Sequence, residues 1–197
     1  MAIKKETVKF LKNIREKFYQ RILLQTVSRL KRDKNFVSFP NVTTIGIIYD
    51  ASTEAQHRSI TNFVKDLQNE QKKIKSLGYV NLKKMPEYCF PQLIFEFCNS
   101  RSFRWNLKPS LQNLKDFAAN DFDLLIDFTP SSFYQIKNIV AGSPAHFKVG
   151  RYVEKFIELY DLMIQVDDHT PLDEVLKHTY FYLKMINNND QGEDQQF

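Results

Sequence analysis

The sequence predicts an α/β protein with a single Rossmann-like, three-layer and mostly parallel sheet, preceded by a long basic helical extension. Residues 122–128 form a short continuous apolar run bounded by acids, which is typical of a strand buried on both faces. Residues 44–50 and 159–165 share this composition, and each is followed by a segment that has a helical pattern. Strands that alternate with helices favour βαβ crossovers and therefore a parallel sheet.

The first half of the chain begins with a predicted helix over residues 4–33, as one element or as two joined near residues 19–22. This stretch has no Gly or Pro and is rich in good helix formers. An N-cap at Ser52 or Thr53 and an apolar stripe predict a second helix over residues 53–77. Strands are then expected at three short stretches, with the third pairing beside the second: residues 79–82, 93–97 and 102–105.

The second half repeats the alternation of strand and helix. The last helix is predicted to begin at Pro171, because proline suits a first helical position and two acids follow in the first turn. The other elements are predicted at residues 109–118 (helix), 131–142 (helix), 146–150 (strand) and 153–157 (one helical turn).

Three regions follow from this pattern. Residues 1–38 are expected to form the basic helical extension, and residues 39–188 the Rossmann-like domain. Residues 189–197 are polar and are expected to be a disordered tail.

Positive charge is concentrated in the extension. Residues 1–34 hold eleven Lys or Arg and three acids, whereas residues 35–197 hold seventeen and twenty. This asymmetry predicts a polyanionic partner, with RNA or the ribosome as the first candidate and an anionic membrane surface as the weaker one. A solvated helix without a partner is the alternative. The candidate contacts are Lys4, Lys5, Lys9, Lys12, Arg15, Lys17, Arg21, Arg29, Lys31 and Arg32.

The carboxyl ends of the predicted strands are the second candidate site, because ligands of open α/β sheets bind there. The residues expected in this pocket are Asp50, Asp127, Ser131 and Asp167, with Asp168 beside them. Their carboxylates could hold Mg²⁺ and a phosphorylated ligand. The favoured interpretation is that these Asp and Ser residues cap the following helices.

The sequence lacks the motifs that mark several common ligand-binding and catalytic sites. Neither GxGxxG, nor GxxxxGK[ST], nor GxSxG occurs, so dinucleotide, P-loop and α/β-hydrolase chemistry lack their usual motifs. The histidines have no metal spacing, and only His169 is a candidate acid or base. We therefore predict neither a cofactor nor a metal site, and a binding protein is favoured over an enzyme.

Cysteine content and hydropathy bear on the compartment. The two cysteines, Cys89 and Cys98, are interpreted as reduced thiols that pack inside the protein. No apolar run approaches the ~20 residues that cross a bilayer. The expected location is the cytoplasm.

Residues 101–105 combine cationic and aromatic side chains. Arg101, Arg104 and Trp105 would suit base stacking together with phosphate contact if they faced solvent. The favoured interpretation is that Trp105 closes the edge of a core.

The run Phe-Asp-Leu-Leu-Ile-Asp-Phe at residues 122–128, followed by Ala-Gly-Ser-Pro-Ala-His-Phe-Lys-Val-Gly at 141–150, resembles the N-terminal half of heptosyltransferase-like glycosyltransferases. This resemblance implies a Rossmann-like half-domain, but the second, donor-binding domain has no counterpart. The pattern of the whole chain is also similar to a small uncharacterised bacterial family of cytoplasmic α/β proteins.

Lys148 and Arg151, beside Ser143, could form an anion pocket, although a structural role is favoured.

These observations favour a non-catalytic binding protein whose basic N-terminal helix engages RNA or the ribosome. An enzyme or sensor that binds a nucleotide or another phosphorylated small molecule at the strand ends is the alternative. A third possibility is that the N-terminal helix docks a protein partner or a second copy of the chain.

Overall fold

A six-stranded, all-parallel sheet forms the centre of the protein in a computed structural model that describes residues 2–35, 38–167 and 170–186. Its strand order is β3-β2-β1-β4-β5-β6, the Rossmann order, in which the direction of winding reverses between β1 and β4. The strands are β1 (Thr44–Asp50), β2 (Lys73–Val80), β3 (Phe95–Asn99), β4 (Leu124–Asp127), β5 (Phe147–Arg151) and β6 (Leu162–Ile164). The predicted fold class is confirmed.

Helices cover both faces of this sheet. They are α1 (Ala2–Arg29), α2 (Glu54–Asn69), α3 (Gln112–Ala119), α4 (Tyr134–Gly142) and α5 (Leu172–Met185). Ile45 and Ile47 of β1 pack with α2 and α5, whereas Ile48 packs on the side of α1, α3 and α4. Because both faces of β1 are covered, its sequence is a continuous apolar run and not an alternating one.

The second strand begins earlier than its sequence indicates. Residues 70–77 were expected to continue a helix, but α2 ends at Asn69 and β2 begins at Lys73. Gln71 adopts a positive φ of 63°, which turns the chain back. Lys73 then pairs with Thr44 of β1, and this pairing overrides the helix propensity of a Lys- and Gln-rich stretch.

The strand expected at residues 102–105 is absent. A short 3₁₀ turn at Ser100–Ser102 ends β3, and Asn99 caps it with its side chain. Phe103 then makes one isolated antiparallel bridge with Pro109. This segment is therefore a closed surface loop and not a seventh strand.

The predicted helix of the N-terminal extension is the single helix α1, which ends at Arg29, and its second half packs on α4. Leu23 is buried, and the Thr26 hydroxyl donates to the side-chain oxygen of Asn138 at 3.2 Å. Beyond the helix, Arg32 donates two 2.6 Å hydrogen bonds to the carboxylate of Asp161. The second half of the extension is thus fastened to the sheet domain at several points.

Two other expectations concern the ends of the chain and the membrane. The tail that was expected to be disordered, residues 189–197, lies outside the described part of the chain. No helix in the described part is long and apolar enough to cross a bilayer.

A close approach between Gly150 and Tyr160 joins β5 to the segment before β6. A Cβ on Gly150 would lie 2.4 Å from the Tyr160 ring, closer than atoms can approach. Glycine at this position therefore allows the ring to lie against the strand. The Tyr160 hydroxyl then donates to Asp127 at 2.6 Å.

We expect Gly150→Ala to lower the free energy of unfolding by about 1–3 kcal/mol, because the added methyl must displace the buried Tyr160 ring. Gly142→Ala is the matched control: its Cβ would meet only the Thr26 methyl at 3.5 Å, an ordinary contact. Urea unfolding measures both variants. Equal stability of the two would show that the Gly150 contact is unimportant.

Candidate functional site

The carboxyl edge of the sheet is where the sequence placed a ligand pocket. β1 ends there at Asp50 and β4 at Asp127, on the two sides of the switch point. The loops that follow β2, β3 and β4 surround this edge, and α1 runs across it.

Asp127 lies in a closed hydrogen-bond network. One carboxylate oxygen accepts hydrogen bonds from the backbone N–H and the hydroxyl of Thr129, at 2.8 and 2.6 Å. The other accepts from Lys137 Nζ at 2.7 Å and from the Tyr160 hydroxyl at 2.6 Å. All four residues are buried. The carboxylate is therefore engaged inside the protein and does not face an open pocket.

Burial governs the ionisation of the partners of Asp127. It lowers the pKa of Lys137, and the adjacent Asp127 carboxylate opposes this shift. The pKa of Tyr160 is raised well above its usual value by burial and by the same carboxylate, so Tyr160 remains a donor. The void beside the network measures about 10 Å³, too small for a ligand.

The other predicted pocket residues have separate surroundings. Asp50 accepts hydrogen bonds from the backbone N–H and the hydroxyl of Ser52, at 2.9 and 2.5 Å, which shapes the turn before α2. Ser131 is half-buried in the loop after β4, and Asp167 is exposed. Within the described ranges, no group of three His, Cys, Asp or Glu is placed to hold a metal. The candidates Asp168 and His169 lie outside those ranges.

An open cleft of about 310 Å³ lies between α1 and the strand ends. Its walls come from α1, the end of β2, the turn after β3 and the start of α4. The lining residues are Arg15, Glu16, Tyr19, Tyr79, Asn81, Ser100, Ser132, Phe133, Tyr134 and Gln135. None of the four predicted pocket residues is among them.

An exposed aromatic pair lies on the same side of the molecule. The rings of Trp105 and Phe18 stack with their centroids 6.1 Å apart and their planes 13° from parallel. Trp105 is 77% exposed and Phe18 is 42% exposed. The interpretation that Trp105 closes a core is therefore wrong, since Leu107 is the residue of this loop that is buried beneath α1 and α4.

Cationic side chains surround the aromatic pair. On α1, Arg15 and Arg21 lie three residues to either side of Phe18, and residues at this spacing are neighbours on a helix surface. The loop adds three exposed cations around Trp105, namely Arg101, Arg104 and Lys108. The pair and these cations together form what we call the aromatic–basic surface.

The ten residues that were predicted to contact a polyanionic partner differ from one another in their surroundings. Arg32 is taken up by its ion pair with Asp161 and is largely buried. The side chains of Lys4, Lys5, Lys9 and Lys12 lie outside the described part of the structure, although their backbone belongs to α1. The exposed members are Arg15, Lys17, Arg21, Arg29 and Lys31.

Lys148 and Arg151 do not form the shared anion pocket that the sequence suggested. They lie three residues apart on β5, and alternation sends their side chains to opposite faces. Lys148 Nζ donates to the Val140 carbonyl at the end of α4, at 2.6 Å. Arg151 lines the small void beside α5. The Ser143 hydroxyl accepts from the Ala145 backbone N–H within its own turn.

The sequence interpretation missed two of the three side-chain partners of Asp127, namely Lys137 and Tyr160. Lys137 has a detectable pattern, because it lies among the apolar residues Ile136, Ile139 and Val140 of a short helix. A lysine at such a position is rarely buried without an acidic partner. Tyr160 gives no comparable indication, since its contact with Asp127 depends on the close approach at Gly150.

Comparison with known proteins identifies one family. The model of a family of unknown function (DUF6913) matches residues 15–186. No curated protein and no solved structure matches the chain. The comparisons show no resemblance to heptosyltransferase-like glycosyltransferases.

We expect Lys137→Met to lower the free energy of unfolding by about 3–5 kcal/mol, because it leaves the Asp127 carboxylate buried without its cation. Asp127→Asn should be similarly harmful, and the double variant should lose less than the sum of both. Lys184→Met is the control, since its ion pair with Glu70 is partly exposed. Its loss should stay below about 1 kcal/mol. Urea unfolding that gives equal losses for Lys137→Met and Lys184→Met would contradict the role of the network.

Lys148 predicts a pH dependence of stability. Burial, followed by the nearby Arg32, lowers its pKa from 10.5 to about 7, while Asp161 opposes and Lys34 adds to this shift. Between pH 7 and 10.5 the unfolded chain therefore binds a proton that the folded protein does not. Stability must rise with pH over this window.

Lys148→Met removes the titratable amino group that causes this pH dependence. We expect wild type to gain stability relative to the variant as the pH rises from 6 to 9, measured by urea unfolding at both values. A difference between the two proteins that stays constant with pH would show that Lys148 titrates normally.

Proposed function

Because the chain belongs to the DUF6913 family of unknown function, we propose its function from its own geometry: it binds single-stranded RNA, free or in a ribonucleoprotein such as the ribosome. The observation that carries this proposal is the exposed Phe18–Trp105 pair, together with the exposed cations of α1 and of the loop after β3.

The aromatic pair supplies a stacking platform. Each unpaired base has an apolar face that can cover an exposed indole or phenyl ring, and one such contact is worth about 1–3 kcal/mol. Trp105 is held by its stack on Phe18 and by the loop hydrogen bond from the Arg104 N–H to the Lys108 carbonyl at 2.9 Å. The platform is therefore largely formed before RNA arrives.

The cations supply the attraction to phosphate. Arg15 and Arg21 of α1 and Arg104 of the loop flank the rings, where they can contact the phosphates of the stacked nucleotides. Binding by such contacts releases counterions, so it weakens steeply as salt is added. Further Lys residues in the first part of α1 extend the positive region along the same helix.

This arrangement favours RNA over an anionic membrane surface. A helix that lies on a membrane needs one continuous apolar face. On α1 the face around Leu23 is already used against the body. The exposed Phe18 ring faces an indole instead of forming such a face. The proposal includes the cytoplasm as the compartment, in line with two buried free thiols at Cys89 and Cys98.

The test uses the single tryptophan of the chain as its reporter. Titration of wild type with single-stranded oligouridine should quench the fluorescence of Trp105, and the affinity should fall steeply with added salt. No change in fluorescence, or an affinity that salt does not alter, would refute the proposal.

Variants are compared by the anisotropy of a labelled oligonucleotide. Trp105→Ala should weaken binding roughly 5- to 100-fold through lost stacking. Arg21→Glu should weaken binding and reduce its salt dependence. Lys65→Glu is the charge-matched control, because Lys65 is an exposed residue of α2, on the face of the sheet opposite to α1. It should leave binding nearly unchanged. Equal losses for Arg21→Glu and Lys65→Glu would mean that only net charge matters.

A further inference from the structure

The cleft between α1 and the strand ends has the dimensions of a small-ligand site. Its volume of about 310 Å³ is at the lower end of the range for ligand pockets. It opens beside the switch point between β1 and β4, with walls from the end of β2 and from the loop after β4. The position and size suit one compact ligand.

Tyr79 gives the cleft a hydroxyl that is available to a ligand. This residue is only 2% exposed, and its ring packs 4.7 Å from that of Phe133 in the cleft wall. Its hydroxyl has no hydrogen-bond partner among the described residues. Burial raises the pKa of Tyr79 to about 12, so the hydroxyl remains a donor at neutral pH. The hydroxyl lies open to the cleft and is not fully enclosed, so an acceptor of a bound ligand can take the place of water on it.

The other lining residues divide into aromatic and polar groups. Tyr19 of α1 and Tyr134 of α4 lie with their rings 5.4 Å apart, and Phe133 is next to them. These rings can pack against a planar heterocycle. Arg15 lines the cleft with the hydroxyls of Ser100 and Ser132, and all three are exposed. Arg15 has no ion-pair partner within the described part of the chain, so its guanidinium is free to bind phosphate.

A larger cavity elsewhere in the protein lacks these properties. It measures about 560 Å³ and lies between α2 and α5, where Asp66, Asp173 and Lys177 give it mixed charge. Its one tyrosine, Tyr180, already donates its hydroxyl to Glu70. The described lining of this cavity contains neither an arginine nor a pair of tyrosine rings, so the smaller cleft is the better candidate.

We propose that the cleft binds a nucleoside monophosphate, with its base among the aromatic rings, an acceptor paired with Tyr79 and its phosphate on Arg15. The nucleotide can be a free metabolite or the 5′-phosphorylated end of an RNA. Only the second source rests on the RNA proposal. Phe18 and Tyr19 are consecutive on α1, so an RNA strand stacked on Trp105 passes directly beside the cleft.

The test is isothermal titration calorimetry of the full chain with AMP, GMP, CMP and UMP, each paired with its unphosphorylated nucleoside. At least one monophosphate should bind, and should bind more tightly than its nucleoside. Tyr79→Phe keeps the ring and removes only the hydroxyl, so it should weaken this binding roughly five- to tenfold. Arg15→Gln should abolish the preference for the phosphate.

Tyr182→Phe is the matched control, because this tyrosine is 44% exposed on α5, away from the cleft. It should bind like wild type. Failure of every monophosphate to bind wild type at millimolar concentration would overturn the proposal. So would binding that neither Tyr79→Phe nor Arg15→Gln alters.

Two further titrations separate the sources of the nucleotide. Tighter binding of a 5′-phosphorylated tetranucleotide than of its 5′-hydroxyl form, reduced by both Trp105→Ala and Tyr79→Phe, assigns the cleft to RNA ends. Tight binding of a free monophosphate that Trp105→Ala leaves unchanged assigns the cleft to a metabolite. The second result supports the cleft even if the aromatic–basic surface binds no RNA.

Discussion

The buried carboxylate of Asp127 is the interaction on which the carboxyl edge of the sheet depends. It joins the end of β4 to Lys137 of α4 and to Tyr160 before β6. A buried carboxylate without these donors would be strongly unfavourable, so the three segments must meet at one point. Because α4 is fixed there, the cleft at its N-terminal end and the helix α1 packed along it also have fixed positions.

The N-terminal helix connects this framework to the surface where we place the function. Its second half contributes Leu23 to the core, and the segment that follows contributes Arg32 to an internal ion pair. One turn earlier along the helix, Tyr19 lines the cleft and Phe18 supports the exposed Trp105. In the proposed function, a single helix therefore serves stability at one end and recognition at the other.

The sequence was sufficient for the fold class, because parallel strands buried on both faces leave a pattern of their own at residues 44–50 and 122–128. It was insufficient for β2, where strand pairing outweighs local helix propensity. It also placed Asp127 at the correct edge but could not show that Lys137 and Tyr160 enclose it. The Phe18–Trp105 stack joins residues distant in the chain, and no local pattern predicts such a contact.

From Arg15 towards its N-terminus, α1 continues for thirteen residues, or about 20 Å at 1.5 Å per residue. This length exceeds the ~8–10 Å over which salt screens a charge near physiological ionic strength. If the protein binds RNA as we propose, the strand meets the field of the lysines in this part of the helix before it reaches the rings of Phe18 and Trp105. Encounter and recognition would then be separate events in time: the charge of the N-terminal part of α1 would set the association rate, and stacking would set the lifetime of the complex.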